Sequence, residues 1–472
     1  MLNTWGRSPV SEPQILRPEN GGATMKKYLA ILLAIVMACT ILAACGGNAS
    51  STTQPASSEG AVSSSAGEPA TAPDVTLSFS WWGNQTRTER TEGACNLYTE
   101  LHPNVTFELN PITGKEYWDK LTALAAGGNA PALQQQDYDR FLVFQQKGIL
   151  EGMNAYVDNG TIDLTDIPEV YLSGGQVDGQ YYAFNLGVNV PCLVYNKTML
   201  DAAGITVPEQ PTWDDFHALA KEVYEKTGVK TSYGTYYGPQ HQIRMSVRNA
   251  GQHVYNEDGT ALGFDDVSLV ERVFANYEYS YTSGYGVPGE MYTGATSVEL
   301  GPIVTGDSWC EFLSSNQVVA LQAAMEDELA MVMNPEFADK TMDAAYLKPS
   351  VMISISAQST QEEKDAAAAV VDYLLNSVEA NEILLAERGV PINTTVREAI
   401  ADKVDETTKK TFDFISFVED GRCSEIDSPD PSCASELDAT AKVLMDEVLY
   451  GNKTAAQAAE EWMAKANTLL GA

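Results

Sequence analysis

Two tryptophans and two amide side chains lie together near the start of the predicted globular region. The alternating stretch VTLSFSWW, residues 75–82, predicts a β-strand that ends with Trp81 and Trp82, and Asn84 and Gln85 follow it. Neighbouring strand residues face opposite sides, so we expect one ring to fill the core and the other to be free to stack. A sugar presents apolar C–H faces and a rim of hydroxyls, which suit a flat ring beside amides. These four residues are therefore candidate carbohydrate contacts.

The sequence contains no pattern that predicts a catalytic centre. Glycoside hydrolysis needs two carboxylates about 5 to 9.5 Å apart, and the 64 acidic residues neither predict nor exclude such a pair. GYGVPG at 284–289 fits G-x-G-x-x-G, but no buried strand precedes it, so we interpret it as a loop. The histidines and cysteines lack the spacing of metal ligands. We predict no enzyme, cofactor or metal site, with a secreted carbohydrate-active enzyme as the alternative.

The charge balance limits the partners. The chain has 29 Lys and Arg against 64 Asp and Glu, a formal net charge of -35. Such a surface repels phosphates, which argues against nucleic acid and against charge-driven docking on anionic lipid headgroups. Partners should be neutral, cationic or proteins, and anions are the least attractive solutes.

The N-terminal region predicts export and a lipid anchor. MKKYLAILLAIVMACTILAA, residues 25–44, has the basic start and apolar run of a signal peptide, and residues 1–24 look like upstream sequence translated by mistake. The motif LAAC at 42–45 resembles the lipobox of bacterial lipoproteins, which implies that Cys45 becomes the acylated mature N-terminus. Two or three acyl chains, such as palmitate, hold a protein durably on a membrane. Residues 45–74, rich in Gly, Ser, Thr, Ala and Pro, predict a flexible tether.

Strands alternate with helices from Val75 onwards. The predicted order is strand 75–82, helix 86–101, strand 105–109 and helix 115–128. This order predicts an α/β layer with parallel strand pairs, which bind ligands at the carboxyl ends of the strands. Thr212 and Gly228 predict the start and the end of a later helix, and Ser359 and Ser377 are predicted caps of a helical pair.

A family resemblance is carried mainly by residues 178–223, DGQYYAFNLGVNVPCLVYNKTMLDAAGITVPEQPTWDDFHALAKEV. VMISISAQSTQEEKDAAAAVVDYL at 351–374 and ERGVPINTTV at 387–396 follow in the family's order. Together they resemble the family 1 extracellular solute-binding proteins of ABC importers, which include maltose- and oligosaccharide-binding proteins. The resemblance implies a two-lobe, periplasmic-binding-protein-like α/β fold with hinge-connected lobes and an interlobe ligand cleft. The implied lobes are 75–187 plus 351–390, and 188–350 plus 391–472.

The same resemblance implies a function. It indicates a monomeric, lipid-anchored binding component on the outer face of a bacterial cell membrane. The cleft would close on an oligosaccharide or glycoside and deliver it to the permease subunits of an ABC transporter. A non-sugar solute, such as a polyamine or a peptide, is the alternative on the same fold. The sequence also leaves open whether Cys423 and Cys433 form a local disulfide or stay free.

Candidate ligand residues follow from the resemblance. Asp139-Arg140-Phe141 matches an Asp-Arg-Phe at which a family member contacts sugar hydroxyls, although such a pair could instead cap a helix. Asp137 lies two residues earlier, and Asn189 stands where that member uses an acid. Residues 232–252 occupy the region that supplies aromatic stacking in relatives. Its candidates are Tyr236, Tyr237, Gln240 and Arg244. In a later region, Trp309 or Glu326 is the candidate to replace the aromatic residue that relatives carry in a loop.

Overall fold

Strands and helices alternate through most of the computed structural model, which describes residues 73–112, 116–235, 237–294 and 297–471. The strands are β1 (Val75–Trp82), β2 (Val105–Ile112), β3 (Leu133–Gln136), β4 (Gln176–Val177), β5 (Gln180–Tyr181), β6 (Phe184–Asn189), β7 (Pro191–Asn196), β8 (Cys310–Ser314), β9 (Leu329–Met333) and β10 (Lys348–Ile355).

The helices are named in the same way. They are α1 (Gln85–Leu101), α2 (Glu116–Ala126), α3 (Tyr138–Gln146), α4 (Asn154–Asp158), α5 (Lys197–Ala203), α6 (Trp213–Thr227), α7 (Pro239–Asn249), α8 (Ser268–Ser283), α9 (Gly289–Gly294), α10 (Pro302–Thr305), α11 (Gln317–Ala323), α12 (Gln361–Asn376), α13 (Val378–Leu384), α14 (Thr394–Ile400), α15 (Glu406–Glu419), α16 (Ala434–Leu449) and α17 (Ala455–Leu470). The predicted order β1-α1-β2-α2 is confirmed.

The larger sheet brings the ends of its strands together at one edge. Its strand order is β2-β1-β3-β10-β6. Strand β1 is parallel to β2 and β3, whereas β10 is antiparallel to both β3 and β6. The carboxyl ends of β1, β3 and β6 therefore meet the start of β10 at the same edge. Trp82, Gln136, Asn189 and Lys348 occupy those four positions.

A smaller antiparallel sheet follows directly along the chain. Its strand order is β8-β7-β9, and only Val190 separates its central strand from β6 of the larger sheet. We call the part of the molecule around the larger sheet the first lobe and the part around the smaller sheet the second lobe. The residue-level lobe boundaries given above stay a prediction.

Two large apolar clusters form the interior of the described residues. Leu77, Phe79 and Trp81 are buried in the cluster beneath the larger sheet. Phe216 and Trp462 belong to a separate cluster that joins the smaller sheet to α6, α8, α16 and α17. The first cluster also includes buried residues of β7, β8 and β9, so one face of the smaller sheet packs into the same core as the larger sheet.

The helix ends show how local sequence fixes the elements. Thr212 and Asp215 form a reciprocal capping box at the start of α6, and Gly228 ends that helix with φ of 76°, as predicted. Ser377 caps α13 as predicted. The prediction for α12 was wrong by one residue, because the side chain of Thr360, not Ser359, accepts the hydrogen bond from Glu363.

The chain crosses between the lobes at a crowded backbone contact. Val188 at the end of β6 forms an antiparallel bridge with Val390. A Cβ atom added to the neighbouring Gly187 would lie 2.6 Å from the carbonyl oxygen of Arg388 and 2.8 Å from the Cα atom of Gly389. Glycine is therefore required at residue 187 for this close approach of two crossing segments.

The predicted signal peptide, Cys45 and the tether lie outside the described residues. Within the described part, none of the helices combines the length and the apolar character needed to span a membrane.

Candidate ligand cleft

A cavity of about 760 Å³ opens at the edge of the larger sheet, and residues of both lobes line it. We call it the cleft cavity. The first lobe contributes Asp139 and Arg140 from α3, and the second lobe contributes residues from the start of α7. Lys348, at the start of β10, lies between these two walls. Such a crevice at the carboxyl ends of strands is where open α/β sheets bind ligands.

Five residues predicted from the sequence meet in this cavity. They are Asp139, Arg140, Tyr237, Gln240 and Arg244. Asp137 lies next to them and caps α3, because its carboxylate accepts a hydrogen bond of 2.9 Å from the backbone N–H of Asp139. Burial, and then repulsion by Asp139, raises the pKa of Asp137. The helix cap is therefore Asp137 and not the Asp139-Arg140 pair of the predicted alternative, and Asp139 lines the cavity.

Two cations of the cavity differ in their surroundings. The ammonium of Lys348 lies 3.8 Å from the carboxylate of Asp139. Burial lowers the pKa of Lys348, but the combined effects of Asp139, two nearby tyrosines and Asp137 outweigh it and raise that pKa to about 12. The guanidinium of Arg140 lies over the ring of Trp118 at 5.1 Å from its centroid, a cation–π contact that orients the arginine.

An aromatic pair lies on the second-lobe wall. The rings of Tyr237 and His241 stack with centroids 4.2 Å apart. Burial, followed by the charges of Arg244, Lys348 and Arg248, lowers the pKa of His241 to about 3. Burial also raises the pKa of Tyr237 to about 12, with a further contribution from Tyr346. Both rings are therefore neutral near pH 7 and present polar atoms without a net charge.

A connection between the lobes is made by residues 421–433, which we call the bridging segment. Arg248 in α7 is fully buried and donates to the carbonyl oxygens of Ala344 and Glu425 at 2.8 Å. Its guanidinium also forms an ion pair with Asp427. The Tyr138 hydroxyl of the first lobe donates a hydrogen bond to the carbonyl oxygen of Asp427. The bridging segment is thus held by the second lobe and touches the first.

Arg244 and the bridging-segment cysteines have separate environments. The guanidinium of Arg244 pairs with Asp430 and lies 3.8 Å from Asp427, so part of its capacity is used within the protein. Cys423 and Cys433 are free thiols in the structure.

A second cavity, of about 680 Å³, adjoins the crossing segments, and we call it the hinge cavity. Two predicted residues, Asn84 and Asn189, line it. Asn84 caps α1 by accepting a hydrogen bond of 2.9 Å from the backbone N–H of Arg87. Asn189 is 7% exposed, and its Oδ1 atom has no hydrogen-bond partner among the described residues. An unsatisfied buried acceptor beside a cavity suits a ligand that donates a hydrogen bond.

The remaining predicted residues are less well placed. Trp82 is half-buried and contacts Trp118 with ring centroids 5.1 Å apart. Gln85 is exposed and donates a hydrogen bond of 2.9 Å to Glu89. The amide oxygen of Gln240 accepts a hydrogen bond of 3.0 Å from Trp462. Tyr236 lies outside the described residues.

Three predicted ligand residues need correction. Trp81 is fully buried, so it is the ring that fills the core. Trp309 is also fully buried, and its indole N–H donates a hydrogen bond of 2.8 Å to Thr231 in the second-lobe core. Glu326 is exposed in the turn after α11 and lines neither cavity. None of these three side chains is in position to contact a ligand in either cavity.

Sequence reasoning missed several residues of the cleft cavity. Lys348 was not predicted because its position depends on β10 running antiparallel to its neighbours, which the chain order alone does not show. His241 and Tyr346 were missed as well. His241 lies in the first turn of α7, and the ring of Tyr237, which comes just before that helix, stacks on it.

Comparison with known proteins identifies the family. Residues 93–411 match the family model described as bacterial extracellular solute-binding protein. That range is more than half of the chain, so the chain belongs to this family, as the resemblance had indicated.

Individual relatives agree with this assignment. An arabinooligosaccharide-binding protein of Halalkalibacterium halodurans is 33% identical over 165 residues, 34% of this chain and 35% of the relative. A lactose-binding protein of Rhizobium radiobacter is 27% identical over 173 residues, 35% of this chain and 40% of the relative. The chain therefore spans well under half of the length of these curated relatives.

A solved structure extends the likeness to nearly the whole globular part. The family 1 extracellular solute-binding protein of Alicyclobacillus acidocaldarius is 27% identical, with a TM-score of 0.75, and the match covers 84% of this chain and 99% of that chain. The predicted two-lobe α/β fold is confirmed.

Proposed function

We propose that this chain is the lipid-anchored, extracellular solute-binding component of an ABC importer and that it captures an oligosaccharide or glycoside. The observation that carries the proposal is the cleft cavity, in which hydrogen-bonding side chains of both lobes face one space of about 760 Å³. Pockets of about 300 to 1,000 Å³ suit small ligands. The two relatives named for a sugar are binding proteins, which favours capture over turnover.

The proposed ligand contacts come from both lobes. Asp139 and Lys348 provide an acceptor and a donor for sugar hydroxyls, while Tyr237 and Trp82 provide rings for its apolar face. Charged hydrogen bonds of about 1.5 to 3 kcal/mol each bring micromolar affinity, about -8 kcal/mol, within reach after the costs of association. The full proposed set is Trp82, Asn84, Gln85, Asp137, Asp139, Arg140, Asn189, Tyr237, Gln240 and Arg244.

Closure of the lobes is the proposed mechanism of capture. A ligand drives closure only to the extent that it binds the closed form better than the open form. Contacts from α3 on one side and α7 on the other meet this condition, because a ligand touches both only when the lobes are together. Cys45, acylated after removal of residues 25–44, keeps the protein near the permease, and reopening there releases the solute unchanged.

The experiment is a screen of oligosaccharides by thermal shift, followed by calorimetry and small-angle scattering on the hits. A ligand at 100 times its dissociation constant stabilises the folded state by about 2.7 kcal/mol. We expect saturable binding, a smaller radius of gyration with ligand, and no new product by chromatography. Asp139→Asn should weaken binding, whereas the matched variant Asp158→Asn, at an exposed position of α4, should not. Product formation, or binding without compaction, would contradict the proposal.

A further inference from the structure

The cleft cavity has a charge opposite to that of the rest of the protein. The whole chain carries a formal net charge of -35. The cavity lining nevertheless contains four cationic side chains and only three acidic ones, and His241 is neutral. The cations are Arg140, Arg244, Lys348 and Lys442, and the acids are Asp139, Asp430 and Asp438.

Ion pairs within the wall use some of these cations but not all. Lys442 lies 2.7 Å from Asp438, and Arg244 pairs with Asp430. Arg140 forms no ion pair with any described residue, and its guanidinium lies over the ring of Trp118. A guanidinium stacked on a ring keeps its N–H groups at the edge for an acceptor.

Lys348 adds a second available donor. Its ammonium lies 3.8 Å from Asp139, beyond hydrogen-bond distance, and it donates no hydrogen bond to the described residues. The pKa of His241, lowered to about 3 first by burial and then by Arg244 and Lys348, reflects the same excess of positive charge. Lys348 and Arg140 thus face the cavity as cations whose donors are largely unused.

Two helix starts add to this excess. Helix α7 begins after Gly238 and helix α16 begins after Cys433, and neither capping residue makes a side-chain hydrogen bond. Gly238 and Ala434, at these two starts, line the cavity. The positive ends of these helices of 11 and 16 residues therefore reinforce the charge of the neighbouring side chains.

We propose that the cleft cavity takes an oligosaccharide that carries a carboxylate, as in a uronic acid, with Arg140 and Lys348 as the partners of that carboxylate. The inference rests on the proposed function and adds the charge class of its ligand. It reverses the expectation from the total charge that anions are the least attractive solutes, because a ligand responds to the field inside the cleft more than to a distant, screened surface.

The test uses pairs of sugars that differ in their carboxylates. Trigalacturonate is compared with the corresponding galactotriose, and a glucuronate-substituted xylotriose with xylotriose, by calorimetry on the mature protein at 50 and 500 mM salt. We expect the acidic member of at least one pair to bind about tenfold tighter or more, since a charge-assisted bidentate contact is much stronger than a neutral one. Only the binding of the acid should weaken at high salt.

Variants assign the effect to the two cations. Arg140→Gln and Lys348→Gln also remove contacts to hydroxyls, so each should weaken binding of both sugars, but that of the acidic sugar about tenfold more than that of its neutral partner. Lys221→Gln, on the exposed face of α6, is the matched control and should change neither. Unchanged melting curves establish that the variants fold.

The outcomes separate this inference from the proposed function. If neutral sugars bind as tightly as acidic ones, or if both cation variants weaken both members of a pair equally, the charge preference is wrong and sugar capture stands. If inorganic phosphate competes as well as the acidic sugar does, the site recognises anions in general, and the assignment to a sugar carboxylate fails. If no sugar of either kind binds, both proposals fail.

Discussion

The buried arginine of α7 that holds the bridging segment gives a stability prediction with a stated size. Arg248 is 0% exposed and pairs with Asp427, which is itself buried. Replacing Arg248 with Met leaves the carboxylate of Asp427 in the protein without its closest cation. Removing one member of a buried pair costs about 3 to 5 kcal/mol. His253 at 2.9 Å and Arg244 at 3.8 Å remain near Asp427, so we expect the lower end, about 3 kcal/mol.

The assay is urea unfolding followed by tryptophan fluorescence. If the free energy of unfolding falls by about 3 kcal/mol per molar urea, the midpoint of Arg248→Met should lie about 1 M below that of the wild type. Arg422→Met is the matched control, because Arg422 lies on the bridging segment itself but is half-exposed and pairs with the exposed Asp420. Exposed pairs contribute about 0 to 1 kcal/mol, so its midpoint should barely move.

A double variant tests the cause. In the Arg248→Met background, Asp427→Asn removes the uncompensated charge, so it should raise the midpoint again. If Arg248→Met is no worse than Arg422→Met, or if Asp427→Asn lowers the midpoint further, the account of the bridging segment as an ion-paired connection is wrong.

Three further predictions concern the hinge, the cleft and the anchor. Gly187→Ala should lower the free energy of unfolding by about 1 to 3 kcal/mol in urea unfolding, because its Cβ would overlap the crossing backbone, whereas Gly238→Ala meets nothing closer than 3.9 Å and should not. The folded-state pKa of His241 is lowered to about 3, whereas its unfolded-state pKa is about 6.5. As the pH falls from about 6.5 towards 3, the unfolded state takes up the proton first and the free energy of unfolding falls. His241→Asn should lose less stability over this pH range in unfolding curves measured at several pH values. Cys45→Ser should abolish acylation, measured by mass spectrometry of the mature N-terminus, and an acylated variant would refute the anchor.

Local sequence sufficed where a structure depends on near neighbours. Thr212 and Gly228 bound their helix as predicted, because a capping box and a left-handed glycine involve residues within one turn. The alternation of Trp81 and Trp82 also predicted that their rings would face opposite sides of the strand, with one ring in the core. Which ring went inside depended on the helices that cover each face of the sheet, and the sequence pattern does not contain that information.

Long-range placement explains the errors at the site. Trp309 was chosen as an aromatic residue in a matching region, but strand β8 begins directly after it and its ring packs inward against α6. Lys348 was missed although it lies at the centre of the cleft cavity. Its position arises from β10 returning antiparallel beside β3 and β6, which only the completed sheet shows.

The single residue between the two sheets has a practical consequence. Because only Val190 joins β6 to β7, and Val188 stays bridged to Val390, the lobes have little freedom to slide or separate. If the lobes close on the ligand as proposed, we expect their relative motion to be mainly one rotation. Two fluorophores, one attached on each lobe, would then report ligand occupancy as a single change in distance, which makes this chain a suitable frame for an optical sensor of its own solute.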